Sequence, residues 1–176
     1  VETYREYVSG TGMDIENICL REGENAFRIS QTSTRNHNKD INRTANYNEA
    51  LAFGYASVAG YVSSPDDRQL ELLNRIGYRK EGDRMTVVNT CQIGADSLLG
   101  VKYVLSVYPV NGLVESDRLA GHGDRKIYEN PYWLPFAFTC DGKVWSELNR
   151  GSRGRRELYR EILAATAALG GEADVR

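Results

Sequence analysis

Aromatic, carboxylate and amide side chains stand together in one short stretch of the sequence, residues 127–138. The stretch reads IYENPYWLPFAF, and its members Tyr128, Glu129, Asn130 and Trp133 have the chemistry to bind a sugar. Aromatic rings stack on sugar faces, while carboxylates and amides form hydrogen bonds with sugar hydroxyl groups. We therefore predict a carbohydrate-binding surface here. The alternative is a turn whose aromatic rings pack into the core, because Tyr and Trp usually bury most of their area.

A long polar stretch, residues 32–48, supplies a second set of candidate binding groups. It reads TSTRNHNKDINRTANYN, and Arg28, Arg35 and Arg43 lie in it or just before it. Guanidinium groups bind phosphates and carboxylates strongly, so the cluster predicts an anionic ligand. The alternative is a solvated face balanced by nearby acids. His37 in the same stretch is either a sugar-contacting group or general base, or a solvated loop histidine.

Sequence motifs of catalysis and cofactor binding are absent from the chain. Its two histidines lie outside any HExxH pattern, and there is no GxSxG, no P-loop and no GxGxxG after a strand. The cysteines Cys19, Cys91 and Cys140 form no CxxC pair, so we expect three small buried hydrophobic residues. One disulfide with one free thiol is the alternative. We predict no catalytic residue, no metal ion and no cofactor.

Composition narrows the class of protein. The chain has 176 residues, a formal net charge of -2 and 41% hydrophobic residues, which is typical of a folded domain with a sizeable core. This charge gives no overall attraction to nucleic acid, and we expect no nucleic-acid partner. A membrane-spanning helix needs about 18 or more apolar residues in a row, and no stretch of the sequence reaches that length.

The N-terminal part of the chain predicts a helical turn followed by a helix. The turn covers residues 2–9 and is interrupted by Gly10 and Gly12, because glycine is a poor helix former. The helix covers residues 13–21, where apolar residues recur at helical spacing, and Gly23 is placed to end it.

The clearest helix signal comes later in the sequence. Ser64 is a candidate N-cap, Pro65 suits the first helical position, and Gly77 is a natural end. Leu70 and Leu73 belong to the apolar stripe. Further helices are predicted over residues 94–99 and 153–169.

Apolar runs and alternating patterns predict strands elsewhere. These strands cover residues 26–30, 51–55, 58–62, 85–89, 101–108, 125–128 and 134–139. The alternative for residues 51–62 is one strand with a bend at a glycine. The fold class is therefore α+β or α/β, with a central mixed β-sheet and flanking helices. We expect a single domain over residues 1–176, with a frayed tail at residues 172–176.

Four segments together resemble the YfhO family of bacterial multi-spanning membrane proteins. They are FRIS at residues 27–30, YASVAGYVSS at residues 55–64, LLGVKYVLS at residues 98–106 and YENPYWLPFAF at residues 128–138. Their order and spacing carry the resemblance, which covers residues 27–138. Trp133 and Phe136 stand where the family has smaller or basic side chains.

The resemblance implies a function for a larger protein of which this chain is a part. Members of the family look like membrane glycosyltransferases that use lipid-linked sugars and modify cell-wall polymers such as lipoteichoic acid. The chain, which begins at Val1, is then a soluble domain excised from the parent protein and located on the extracytoplasmic side of the bacterial cell membrane. Its expected partners are the membrane-embedded remainder of the same polypeptide and a cell-wall glycopolymer or lipid-linked sugar.

The role of the domain itself has two interpretations. In the first, it positions the acceptor or covers the membrane active site, while the catalytic acids lie in membrane loops outside this chain. Its ligand surface then consists of the groups introduced above, namely Arg28, Arg35, His37, Arg43, Tyr128, Glu129, Asn130 and Trp133. In the second, it is a non-catalytic structural or protein-interaction domain that binds no sugar.

Overall fold

A computed structural model describes residues 4–32, 48–64, 66–76, 80–81, 86–87 and 92–137. The elements in these ranges are, in chain order, α1 (Tyr4–Glu22), β1 (Arg28–Gln31), α2 (Glu49–Phe53), β2 (Gly60–Tyr61), α3 (Asp67–Arg75), β3 (Lys80–Glu81), β4 (Thr86–Val87), α4 (Ile93–Leu98), β5 (Val101–Ser106), β6 (Val114–Glu115) and β7 (Lys126–Glu129). Several predictions fall outside the described residues: Arg35, His37, Arg43, Cys91, Cys140 and the helix over residues 153–169.

Strand β5 is the centre of a four-stranded mixed sheet with the order β1-β5-β7-β6. It pairs in parallel with β1 and antiparallel with β7, and β7 pairs antiparallel with β6. A smaller antiparallel sheet has the order β2-β4-β3. Helices around a mixed sheet confirm the predicted α+β class. The nearly unbroken apolar sequence of β5 suits this position, because a central strand is buried on both faces.

Hydrophobic clusters cover both faces of the main sheet. On one face, Ile15 and Ile18 of α1 pack with Phe27 and with alternate residues of the strands, namely Ile29, Tyr103, Leu105 and Ile127. The rings of Phe27 and Tyr103 meet edge to face at a centroid distance of 5.7 Å. On the other face, Val104 and Tyr128 lie opposite each other and belong to a separate cluster with Val101. The neighbours Tyr103 and Val104 thus point to opposite faces, while Val101 departs from this alternation where the pairing with β1 shifts its register.

Helix α1 runs without a break through Gly10 and Gly12, so the predicted interruption is wrong. A Cβ added at Gly10 would lie 2.1 Å from Cδ2 of His122, which shows how closely the loop that carries His122 approaches the helix. The side chain of Arg125 from the same loop donates to the Thr11 hydroxyl at 2.5 Å. These tertiary contacts offset the poor helix propensity of glycine. The predicted end at Gly23 is confirmed by its φ of 62° and its bond to the Cys19 carbonyl.

A buried ion pair also joins α1 to this loop. The guanidinium of Arg125 lies 3.6 Å from the Asp14 carboxylate, and both side chains are almost fully buried. The Cζ atom of Arg125 lies 5.3 Å from the centre of the Tyr7 ring. Cys19, on the other side of the helix, is exposed, so the expectation that it is a small buried hydrophobic residue is wrong.

The strand predicted over residues 51–55 is wrong, because most of this segment belongs to the short helix α2. The helix lies between Asn48 and Gly54, which both have positive φ, and only Ala50 is buried, while Leu51 is 81% exposed. The apolar residues of this segment therefore do not form a buried strand. The neighbouring prediction over residues 58–62 is confirmed in part by β2.

Two other boundaries differ from the sequence prediction. Asp66 caps α3 in place of Ser64, because its Oδ1 accepts a bond from the Gln69 amide at 3.0 Å. Residues 134–137 form no strand, although a strand is predicted over residues 134–139. The Leu134 amide bonds to the Ser97 carbonyl, and Pro135 has no amide hydrogen to donate to a sheet.

The remaining local predictions are confirmed within the described ranges. Leu70, Leu73 and Ile76 are buried along α3, as the apolar stripe requires. Elements β4 and β5 lie inside the predicted positions, and α4, β1 and β7 each extend one residue beyond them. The single domain over the whole chain and the frayed tail stay predictions.

The contact between Gly10 and His122 can be tested with a matched pair of glycines in α1. We expect Gly10→Ala to lower the free energy of unfolding by about 1–3 kcal/mol, because its Cβ overlaps the His122 ring. Gly12→Ala meets no atom within 4 Å and should raise stability by up to about 1 kcal/mol. Urea unfolding followed by circular dichroism measures both changes.

A double variant serves as the control for this prediction. Removing the ring in His122→Ala should recover most of the loss caused by Gly10→Ala. Equal stabilisation by the two single alanine substitutions would contradict the close contact.

Candidate functional site

An open cleft of about 470 Å³ lies where β5, β6 and β7 meet the turn that follows β7. Its lining combines one aromatic ring with acidic, hydroxyl and ammonium groups. The lining residues are Lys102, Val114, Glu115, Ser116, Asp117, Glu129, Asn130, Pro131 and Trp133. Three predicted site residues, Glu129, Asn130 and Trp133, are therefore brought together here.

Strand pairing positions these groups. Glu129 is the last residue of β7, opposite Tyr103 of β5 on one side and Val114 of β6 on the other. The chain then turns, and the Asn130 amide donates to the Lys102 carbonyl at 2.8 Å. This bond places Trp133 over Lys102, whose Nζ lies 4.6 Å from the centre of the Trp133 ring. The cleft is thus built on sheet residues and one turn fixed to them.

A partly buried ion pair lies behind the cleft, which only its Lys102 member lines. Lys102 Nζ lies 2.5 Å from Glu22 Oε2, and the Tyr103 hydroxyl donates to Glu22 Oε1 at 2.5 Å. The Glu22 side chain is only 7% exposed and the Lys102 side chain 19%. Glu22 is the last residue of α1, so this pair joins the end of the helix to the central strand.

The protonation states of this group follow from its contacts. Burial opposes ionisation of Glu22, but hydrogen bonds from Lys102 and Tyr103 outweigh it, and the pKa of Glu22 is lowered from its ordinary value of 4.5. Burial, together with the bond to the Glu22 carboxylate, raises the pKa of Tyr103 well above its ordinary value. Neither group changes charge near neutral pH. They hold positions in the cleft and do not exchange protons there.

Glu129 presents a carboxylate at the rim of the cleft. Its Oε1 accepts bonds from Arg21 at 2.7 Å and from the Ser116 hydroxyl at 2.6 Å. Glu115 on the same rim is held by Lys126 at 2.8 Å. The rim is therefore rich in hydrogen-bond acceptors, which is an arrangement suited to hydroxyl groups.

Asn130 lies at the base of the cleft and is almost fully buried. Its amide nitrogen donates to the Val101 carbonyl at 2.9 Å and to Ser97 at 3.1 Å, and its oxygen accepts from the Tyr132 amide at 3.1 Å. Its side chain fixes the turn that carries Trp133.

Tyr128 lies on the opposite face of the sheet, buried against Val101 and Val104. For this residue the alternative of an aromatic ring packed into the core describes the structure. Ligand binding by the predicted set stays a prediction, now centred on Glu129 and Trp133.

The predicted basic cluster is represented in the described residues by Arg28 alone. Its Nη1 donates to the Leu99 carbonyl at 2.5 Å, and its guanidinium lies 4.3 Å from the centre of the Phe136 ring. Arg28 thus lies against the turn before β5, apart from the residues that line the cleft.

Lys102, Glu22 and Ser116 are site residues that the sequence analysis missed. Two of them leave a signal in the sequence. Lys102 interrupts the apolar run of β5, and a charged residue in a buried strand needs a partner. Glu22 is an acid at the C-terminal end of a helix, where the dipole disfavours negative charge. Ser116, in a short loop, leaves no comparable signal.

In the part of the chain that the structure describes, no group of three or more His, Cys, Asp or Glu side chains is placed to hold a metal ion. The described helices include none that is long and apolar enough to span a membrane.

Comparison with known proteins gives one result. A family model described as bacterial membrane protein YfhO matches residues 5–149. The match includes every element of the main sheet and the whole cleft. Curated proteins and solved structures give no match.

The pair of Glu22 and Lys102 makes the free energy of unfolding decrease in acid. The pKa of Glu22 is lower in the folded state than its ordinary value of 4.5. The ionised carboxylate therefore contributes fully to the free energy of unfolding above pH 4.5, and this contribution is lost as the pH falls through the folded-state pKa. We expect the free energy of unfolding to decrease on acidification below that pH. Glu22→Gln should remove this part of the pH dependence in urea titrations at several pH values.

Lys102→Met offers a second test of the same pair. At neutral pH it should cost about 2 kcal/mol, because it leaves a buried carboxylate without its ammonium partner. The loss should shrink in acid, where Glu22 takes up a proton. Lys126→Met, which breaks the exposed pair with Glu115, is the matched control and should hardly change stability. Equal effects of the two substitutions would contradict the importance of the buried pair.

Proposed function

The chain belongs to the YfhO family of bacterial membrane proteins, and from this premise we propose that it is the extracytoplasmic domain of a multi-spanning glycosyltransferase. In this proposal the parent enzyme takes a sugar from a lipid carrier and adds it to a cell-wall polymer such as lipoteichoic acid. The domain positions the acceptor for a catalytic centre in the membrane-embedded part. The observation that supports a positioning role is the cleft between β5, β6 and β7.

The chemistry of the cleft suits a sugar. The indole ring of Trp133 offers an apolar surface on which a sugar ring stacks. Glu129 and Asp117 offer carboxylate acceptors for hydroxyl groups, and Ser116 offers a hydroxyl. The floor is fixed by Asn130, so the groups hold their positions before a ligand arrives. A rigid aromatic ring bordered by acceptors is an arrangement that binds uncharged, hydroxyl-rich molecules.

The same cleft favours positioning over catalysis. Glu22 stays ionised and Tyr103 stays protonated near neutral pH, because each stabilises the other's state. General acid–base catalysis works best with a group whose pKa lies near the working pH, and this pair does not provide one. We therefore assign the transfer step to the membrane-embedded part of the parent protein.

A second candidate function is a structural or protein-interaction domain that binds no sugar. The observation in its favour is that charged cleft residues already have partners. Lys102 pairs with Glu22, and Glu129 pairs with Arg21. A ligand must compete with these pairs or use the remaining acceptor positions of the carboxylates.

The placement of this chain within a larger membrane protein has a direct test. We expect the coding sequence on both sides of this segment to encode several apolar segments of about 20 residues each. Sequencing the natural gene and measuring its hydropathy checks this. A reading frame confined to this segment would contradict the membrane-enzyme proposal.

Sugar binding at the cleft can be measured by NMR titration of the labelled chain with methyl glucoside and with N-acetylglucosamine. We expect amide shifts concentrated at Ser116, Glu129 and Trp133. Trp133→Ala should weaken binding roughly tenfold or more, because it removes the stacking surface. Tyr132→Ala, which removes a neighbouring exposed ring outside the cleft lining, should leave the affinity unchanged.

The outcomes of this titration separate the candidate functions. A folded wild-type chain that shows no shift with either sugar would leave the non-binding alternative. A third ligand, a poly(glycerol phosphate) fragment, tests the predicted anionic ligand. If the anionic polymer binds, charge reversal at Arg35 and Arg43 should abolish its binding and leave sugar binding intact.

A further inference from the structure

The turn after β7 carries an exposed apolar surface without charge. Residues 131–137 read PYWLPFA, and five of the seven are exposed at the surface. Tyr132 is 51% exposed and Phe136 47%. Exposed apolar side chains also occur elsewhere, at Tyr61, Val62 and Tyr108, but residues 131–137 combine two exposed rings with the partly buried ring of Trp133. Single exposed apolar residues are normal on a protein surface, but an uncharged run with exposed aromatic rings marks an interaction site.

This surface is held rigidly by the fold. The Leu134 side chain is buried, and its amide donates to the Ser97 carbonyl at 3.0 Å. The Phe136 ring packs on Gly100, where an added Cβ would lie 3.0 Å from the ring. The rings are therefore presented outward on a fixed backbone, and little conformational entropy is lost when they bind.

Cations flank the surface and lie against its rings. The Arg28 guanidinium lies 4.3 Å from the centre of the Phe136 ring, and Lys102 Nζ lies 4.6 Å from the centre of the Trp133 ring. No carboxylate belongs to residues 131–137. Glu22 balances the charge of Lys102, so the aromatic rings, and not a net positive charge, make this surface complementary to the headgroup region of a phospholipid bilayer, where Trp and Tyr concentrate.

We propose that residues 131–137 rest on the headgroup region of a phospholipid bilayer. The membership in a membrane-protein family supports a bilayer as the partner. The part of the chain that the structure describes holds no helix long and apolar enough to span a membrane. Trp133 belongs both to this surface and to the cleft, which places the mouth of the cleft close to the membrane. The proposal does not depend on sugar binding.

Flotation with lipid vesicles tests the proposal. The wild-type chain is mixed with vesicles of equal parts phosphatidylcholine and phosphatidylglycerol, and the fraction that floats is measured. We expect binding that weakens roughly tenfold in Tyr132→Ser/Phe136→Ser, because two apolar rings no longer leave water. Leu20→Ser/Leu51→Ser removes two exposed apolar side chains elsewhere and should bind like wild type.

The fluorescence of Trp133 gives an independent readout. The chain has two tryptophans, and Trp145→Phe leaves Trp133 as the single reporter. Its emission should shift to shorter wavelength when vesicles are added. Binding should persist between about 0.05 and 0.5 M salt, because apolar contacts are not screened. Tyr132→Ser alone, at an exposed ring, repeats the test if the double variant fails to fold.

Four results would overturn the proposal, the last of them dimer formation through the same surface. One is a folded wild-type chain that does not float. Another is equal flotation of Tyr132→Ser/Phe136→Ser and wild type. The third is flotation that disappears in high salt, which would reflect charge attraction alone. If the chain instead forms dimers that Tyr132→Ser disrupts, the surface binds a second copy and the lipid proposal is wrong.

Discussion

The bond between Glu22 and Lys102 is the interaction on which the rest of the described structure depends. Two charges that are largely withdrawn from water are stable when each has a partner, since an unpaired charge there is unfavourable. The pair therefore fixes the end of α1 against the central strand. The Tyr103 hydroxyl donates a hydrogen bond to the other oxygen of the Glu22 carboxylate, and the Trp133 ring lies against the Lys102 ammonium group. Helix end, strand and turn are thus placed by one shared set of contacts, and the cleft is their outer surface.

Local sequence signals predicted the central parts of the fold. The apolar run predicted strand β5, and the stripe of Leu70 and Leu73 predicted α3, because burial alone determines these patterns. The sequence failed where tertiary contacts override propensity. Gly10 marks a close approach of His122 and not a helix break. Leu134 bonds to Ser97 of α4, and residues 134–137 pair with no strand, although their composition is typical of a sheet.

The candidate site was predictable in part for a related reason. Glu129, Asn130 and Trp133 lie close together in sequence, and the turn keeps them together in space. The inclusion of Tyr128 could have been avoided, because adjacent strand residues point to opposite faces, and Glu129 is at the cleft. The partnership of Glu22 with Lys102 joins residues 80 positions apart. No local pattern specifies such a pair, although each residue alone is conspicuous in its element.

The parallel pairing of β1 with β5 has a consequence for how the domain forms. Thr32 follows β1 and bonds to Leu105, which lies 73 residues later in the chain. Closing so long a loop costs entropy before any sheet contact forms, so the sheet is a late event in folding. During synthesis, β1 leaves the ribosome long before its partner strand exists. The apolar residues of β1 and α1 therefore stay without their partner strand until β5 has been made, and an unpaired apolar strand is prone to aggregate during that interval.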